Sequence, residues 1–158
     1  MRPVCLLLAA VLATAASPAV GQTRPPVTVE TLLSQESLGQ VRIDPGGRWV
    51  VVERRAAWST AATYRFGLMT THLLSGLEIY DASSDAPPRI VSDPGHATGY
   101  VSGPFSPDGE RMVVFRLTET SWRLGVLTLA TGETRWFALT PDYAGVGRTI
   151  AWRSGTEV

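Results

Sequence analysis

The sequence predicts an all-β fold: a partial β-propeller of two four-stranded blades and the first strand of a third. Three observations carry this. First, a strand–turn–strand unit occurs twice, as Ile43-Asp44-Pro45-Gly46-Gly47-Arg48-Trp49-Val50-Val51-Val52 and as Phe105-Ser106-Pro107-Asp108-Gly109-Glu110-Arg111-Met112-Val113-Val114. Pro presets φ for a turn and Gly accepts positive φ, so each copy reverses the chain between apolar runs. Second, further positions recur at an offset of 47: Leu77 and Ile79 match Leu124 and Val126, Ile90 matches Phe137, Pro94 matches Pro141, and Phe105 matches Trp152. A period of about 40–50 residues with four short strands per unit marks propeller blades. Third, Trp49-Val50-Val51-Val52 and Met112-Val113-Val114-Phe115 are apolar on both faces. A strand reads this way when it is covered on both sides, as in a blade stacked between neighbours.

The elements follow in chain order. Residues 1–21 read as a signal peptide: Arg2 gives a positive start, and Val4 to Ala16 is an apolar run broken only by Thr14. A spanning helix needs about 20 apolar residues, so this run is too short to anchor the mature chain in a membrane. Ala19-Val20-Gly21 fits a small-x-small cleavage site, with the cut before Gln22; an uncleaved signal anchor is the alternative. The expected location is therefore periplasmic or secreted. Residues 22–36 form a leader and one short helix within Val27–Ser34, capped by Thr28, with Glu30 in its first turn. The first blade occupies about 37–93, with strands near 40–44, 48–54, 77–82 and 88–92. The second occupies about 99–139, with strands near 100–105, 111–117, 122–129 and 133–138. The third begins within 147–158, with a strand over 148–153. Two blades do not close a ring, since propellers need about four to eight. An uncovered blade exposes a few hundred Å² of apolar face, and about 400 Å² at about 25 cal/mol per Å² forfeits roughly 10 kcal/mol. This is comparable with a domain's whole net stability. The expectation is that these residues belong to a longer chain or to the product of a broken frame.

Composition excludes several functions. The 14 basic residues, all Arg, balance 14 acidic ones, and only Arg54 and Arg55 are adjacent. Phosphate-backbone binding needs a concentrated basic field, so nucleic acid is not an expected partner. Cys5, the one cysteine, lies inside the signal, so the mature chain has no disulfide and no Cys-based metal site. The sequence has no Gly-x-Ser-x-Gly, no Walker loop, no Gly-x-Gly-x-x-Gly and no His-Glu-x-x-His. In Gly99-Tyr100-Val101-Ser102-Gly103 the serine is one place late for a nucleophile elbow. No catalytic residue, metal or cofactor is expected.

The candidate site residues lie in an insertion. Pro45 to Leu77 is 32 residues and Pro107 to Leu124 is 17, so the first unit carries 15 extra residues within Ala56–Gly76. Long loops in compact domains are usually functional or disordered, and this one is too aromatic for disorder. Trp58, Tyr64 and Phe66 are candidates to line a substrate opening, with packing over the blade edge as the alternative. His72 is a candidate contact to a substrate or neighbouring domain, or else loop packing. His96 sits in a turn, Asp93-Pro94-Gly95-His96-Ala97, and reads as an exposed loop residue. Asp44 and Asp108 flank Pro-Gly turns, where Asp caps local backbone. Arg54-Arg55 suits a carboxylate at a strand end or is a solvated pair. Trp49, Trp122, Trp136 and Trp152 fall on strands and read as core.

The Phe105-Ser106-Pro107-Asp108-Gly109 turn resembles that of TolB-like propellers and of the propellers in prolyl oligopeptidase and dipeptidyl peptidase IV serine peptidases. The order of segments narrows this. Val27-Thr28-Val29-Glu30-Thr31-Leu32-Leu33, Tyr64-Arg65-Phe66-Gly67-Leu68, Gly103-Pro104-Phe105-Ser106-Pro107-Asp108-Gly109, Trp122-Arg123-Leu124-Gly125-Val126 and Ala151-Trp152-Arg153-Ser154 together resemble the N-terminal part of lasso peptide isopeptidases, over about 27–158. Gly46 and Gly155 stand where that turn usually carries Asp. The resemblance implies a propeller that shapes and gates access to a separate C-terminal α/β-hydrolase domain. There a serine nucleophile, a histidine and an aspartate hydrolyse the isopeptide bond of a lasso peptide. None of those three positions falls in this sequence. The competing reading is a TolB-like periplasmic propeller that binds proteins and does no chemistry.

Overall fold

The computed structural model describes residues 25–61, 70–91, 98–118, 121–140 and 150–158. These form two four-stranded antiparallel sheets with minimal helix, each sheet running in chain order. The first holds β1 (Ser37–Ile43), β2 (Trp49–Arg55), β3 (Ser75–Asp81) and β4 (Arg89–Ile90), and the second holds β5 (Thr98–Phe105), β6 (Arg111–Thr118), β7 (Trp122–Thr128) and β8 (Thr134–Trp136). The described residues form no closed ring of sheets.

The helix α1 (Val29–Leu33) starts where a capping hydroxyl stands: Thr28 is extended at φ −98° and ψ 167°, and its side chain accepts from Thr31 N at 3.2 Å. Glu30 lies in the first turn, where its own backbone N–H and the Thr28 hydroxyl hold its carboxyl below the usual range. Val29 and Leu32 remain exposed, and α1 has no buried residue.

The two tight turns solve one problem with different residues. In each, a glycine with φ 72° (Gly47, Gly109) completes the reversal. In the first, Asp44 is buried; its carboxylate accepts from Gly46 N at 2.7 Å and from Trp49 N. In the second, the Ser106 hydroxyl accepts from Arg111 N at 2.9 Å, and Asp108 accepts from Glu110 N at 3.1 Å. The carboxylate at Asp44 thus does alone what Ser106 and Asp108 share, so the turn closes with Gly46 in place of an acid. The Ser106 hydroxyl and the Glu110 N–H also hold Asp108 below the usual carboxylate range.

The sheets stack face to face. Trp49, Val51, Leu77 and Ile79 of the first meet Met112, Val114, Leu127 and Leu129 of the second, all buried. Each such side chain contributes about 1.5–3 kcal/mol on leaving water. Alternation sends Val113, Phe115, Leu117, Trp122 and Leu124 to the opposite face, where Ile150 and Trp152 pack on them. Phe115 and Trp122 stack there at 5.0 Å. Trp136 and Trp152 are only partly buried.

Two expectations need correction. The fourth strands are out of the 47-residue register: Glu78 pairs with Ile90 as Gly125 pairs with Trp136, so the counterpart of Ile90 is Trp136 and that of Phe137 is Val91. Between paired positions the chain takes one residue more to reach β4 than to reach β8. The strand expected over 148–153 is not formed across its described part, 150–153. A strand needs a ladder partner, and among the described residues none pairs with this segment. Trp152 is held instead by its Nε1 donating to Pro104 O at 3.0 Å. The turns at Asp93–Ala97 and before Ile150 lie outside the described residues.

Candidate functional site

The expected insertion leaves the first sheet between β2 and β3. Ala56 N donates to Leu74 O at 3.0 Å and so closes its base. Trp58 opens a single 3-10 turn, Trp58–Thr60, and is half-buried. His72 lies in a short helix, α2 (Thr70–Leu73), also half-buried. Tyr64 and Phe66 fall outside the described residues, so Trp58 and His72 are the two expected site residues that the structure places. The helix sits directly on β5: a side chain on Gly99 would collide with the backbone of His72 and Leu73. Only glycine lets the two backbones approach so closely.

Beneath α2 lies a polar cluster between the sheets. Glu53 is 1% exposed. One carboxylate oxygen accepts from Ser102 N at 2.9 Å and from the Ser102 hydroxyl at 2.6 Å; the other accepts from Gln40 N at 3.2 Å. Arg55 Nη2 lies 3.9 Å from that second oxygen. Arg42 Nε donates to the Ser102 hydroxyl at 3.1 Å. Gln40 and Ser102 both sit where the β1–β2 and β5–β6 registers slip, between Leu38 and Val41 and between Ser102 and Phe105. A bulge leaves backbone N–H groups outside the ladder, and Glu53 satisfies one from each sheet. Burial pushes His72 below the ordinary histidine range; Glu53 opposes this and Arg55 adds to it.

This geometry ties the two sheets together through Glu53. The Ser102 hydroxyl is buried and gives its proton to the Glu53 carboxylate. Among the described residues no group of three His, Cys, Asp or Glu could hold a metal ion. No described helix is long and apolar enough to cross a membrane.

The Arg54-Arg55 pair divides. Arg54 is exposed and pairs with Glu36 at 2.8 Å and Glu78 at 3.3 Å, while Arg55 turns inward toward Glu53. Sequence reasoning passed over Glu53, although the signal was there. Inward positions alternate as Trp49, Val51, Glu53, and the repeat places Phe115 at the same point of β6. It also passed over two cavities. One, of about 740 Å³, runs along the far face of the second sheet between Arg111, Arg135, Phe137 and Trp152. The other, of about 200 Å³, lies at the β6–β7 hairpin between Arg116, Thr118, Ser121 and Arg123.

No protein-family model matches the chain, and no curated protein matches it.

Proposed function

We propose that the chain is a substrate-gating propeller segment of a serine isopeptidase or peptidase acting on lasso peptides. The chemistry belongs to an α/β-hydrolase domain that these 158 residues do not contain. The observation that carries the propeller part is the fate of equivalent faces. Met112 and Val114 of β6 are 0% exposed against the first sheet. Their counterparts Val50 and Val52 face away from the second sheet, in a row with Val41, Ile43 and Ile90, which are 53–62% exposed. The same face is thus fully covered in one unit and only partly covered among the described residues of the other, as expected of a blade awaiting its neighbour. Contacts between successive units point the same way. A side chain on Gly109 would come within 2.6 Å of Asp44, and one on Gly155 would meet Asp108. Arg111 Nη1 donates to Gly155 O at 2.6 Å. The turn at Gly155 therefore stands against the second unit much as the second turn stands against the first.

The functional part rests on the ordered segments that resemble lasso peptide isopeptidases and on the insertion anchored by α2. In this reading the insertion stands at the rim of the substrate chamber, with Trp58 and His72 beside its entrance. The mature protein lies in the periplasm or outside the cell. The test is the coding frame beyond codon 158. Further blades followed by a hydrolase domain with Gly-x-Ser-x-Gly support the proposal. Further blades followed by a stop codon, with no hydrolase domain, overturn it in favour of a TolB-like binding propeller.

A further inference from the structure

We infer that Arg116 and Arg123 form a carboxylate-binding cleft that holds an acidic group of a peptide; the peptide class rests on the proposed function above. The two arginines are direct cross-strand partners on β6 and β7. Like charges placed opposite each other on one sheet face are destabilising, so the pair needs an anion to offset it. None of the ion pairs among the described residues involves either of them. Arg116 Nε is buried without a hydrogen-bond partner. A buried donor left unmade is costly, and here it borders a cavity of about 200 Å³.

Two hydroxyl residues, bonded to each other, complete the lining. Thr118 Oγ1 accepts from Ser121 N at 3.0 Å and shares a proton with Ser121 Oγ at 2.6 Å. Two guanidinium forks match the lone pairs of a planar carboxylate. The cleft also lies on the functional rim: the β6–β7 hairpin is the counterpart, in the repeat, of the β2–β3 connection that carries Trp58 and His72. A peptide crossing that rim would present its C-terminal carboxylate or an acidic side chain to this point.

The test uses the purified chain and follows the arginine Nε–H signals by NMR. The probes are hexaglycine with a free C-terminus, hexaglycine amide, and inorganic phosphate. The free acid is expected to shift the Arg116 and Arg123 signals saturably, with the amide at least about tenfold weaker, one charge-assisted contact being worth that ratio. Arg123→Gln, at an exposed position, is expected to weaken the acid about tenfold and leave the fold intact. Arg116→Lys keeps the charge but removes the fork, and is expected to weaken it several-fold, read at Arg123. Equal binding of acid and amide, or no shift with any probe, overturns the cleft; a response to phosphate alone overturns the carboxylate assignment. The readout involves no hydrolysis. A failure here with a hydrolase domain encoded downstream removes only the cleft, and a frame without that domain leaves the binding result standing.

Discussion

Replacing Glu53 with Ala removes a side chain that satisfies bulge N–H groups in both sheets. Three hydrogen bonds are lost, and their consequences differ. Gln40 lies on an exposed stretch of β1, so its N–H regains water. Ser102 is 3% exposed, so water cannot replace the acceptor for its N–H and hydroxyl. Each buried donor left unmade costs about 1–3 kcal/mol, which for two donors gives a loss of about 2–6 kcal/mol. Against a typical domain stability of about 5–15 kcal/mol, that is a large fraction. Glu53→Gln keeps one carbonyl acceptor and turns an N–H₂ toward the other donors, so it should fall between Glu53→Ala and the parent. Urea unfolding followed by tryptophan fluorescence measures the loss, and amide exchange at Ser102 locates it. A cost below about 1 kcal/mol, with Ser102 N–H still protected, would refute the clasp.

Other outcomes follow from single contacts. His72 has its pKa lowered by burial, so the unfolded chain binds its proton first as pH falls. Stability is then full above the ordinary value of 6.5 and declines below it, and His72→Gln should flatten urea midpoints between about pH 7 and 5. Asp81 is held at about 2 by Arg48 and by the Ser83 hydroxyl and N–H, so its contribution is present above the ordinary 3.8 and lost as pH falls toward 2. Asp81→Asn should therefore match the parent near pH 2 and be less stable at pH 6, as unfolding midpoints will show. Gly109→Ala should cost more than Gly47→Ala. Both have φ 72°, worth about 1–2 kcal/mol for a non-glycine residue, but the new Cβ at 109 meets Asp44, whereas nothing lies within 4 Å of the one at 47. Thermal midpoints of the two variants settle the order.

Strands were legible in the sequence wherever local chemistry decided them. The Pro-Gly turns fixed β1–β2 and β5–β6, and the unbroken apolar runs Trp49–Val52 and Met112–Phe115 marked their second strands. Thr28 marked the start of α1. Features that depend on a partner were not legible. Residues 150–153 have the apolar pattern of a strand but no described ladder partner. Register in β4 turned on one loop residue, which a repeat offset cannot resolve. Glu53 reads locally as the charged end of a strand, and only the stacked second sheet, with Ser102 opposite, makes it a buried acceptor. The pairing of Arg116 with Arg123 likewise needs the hairpin to form before their spacing acquires meaning.

The most direct test of the account is to mix the purified chain with a lasso peptide and follow both binding and covalent integrity, by calorimetry and mass spectrometry. Saturable binding with the peptide's mass unchanged is expected, because the proposed function puts recognition in these residues and the serine nucleophile in the hydrolase domain. A ring-opened product heavier by one water, formed by this chain and blocked by a serine-directed inhibitor, would contradict it, as would the absence of any binding.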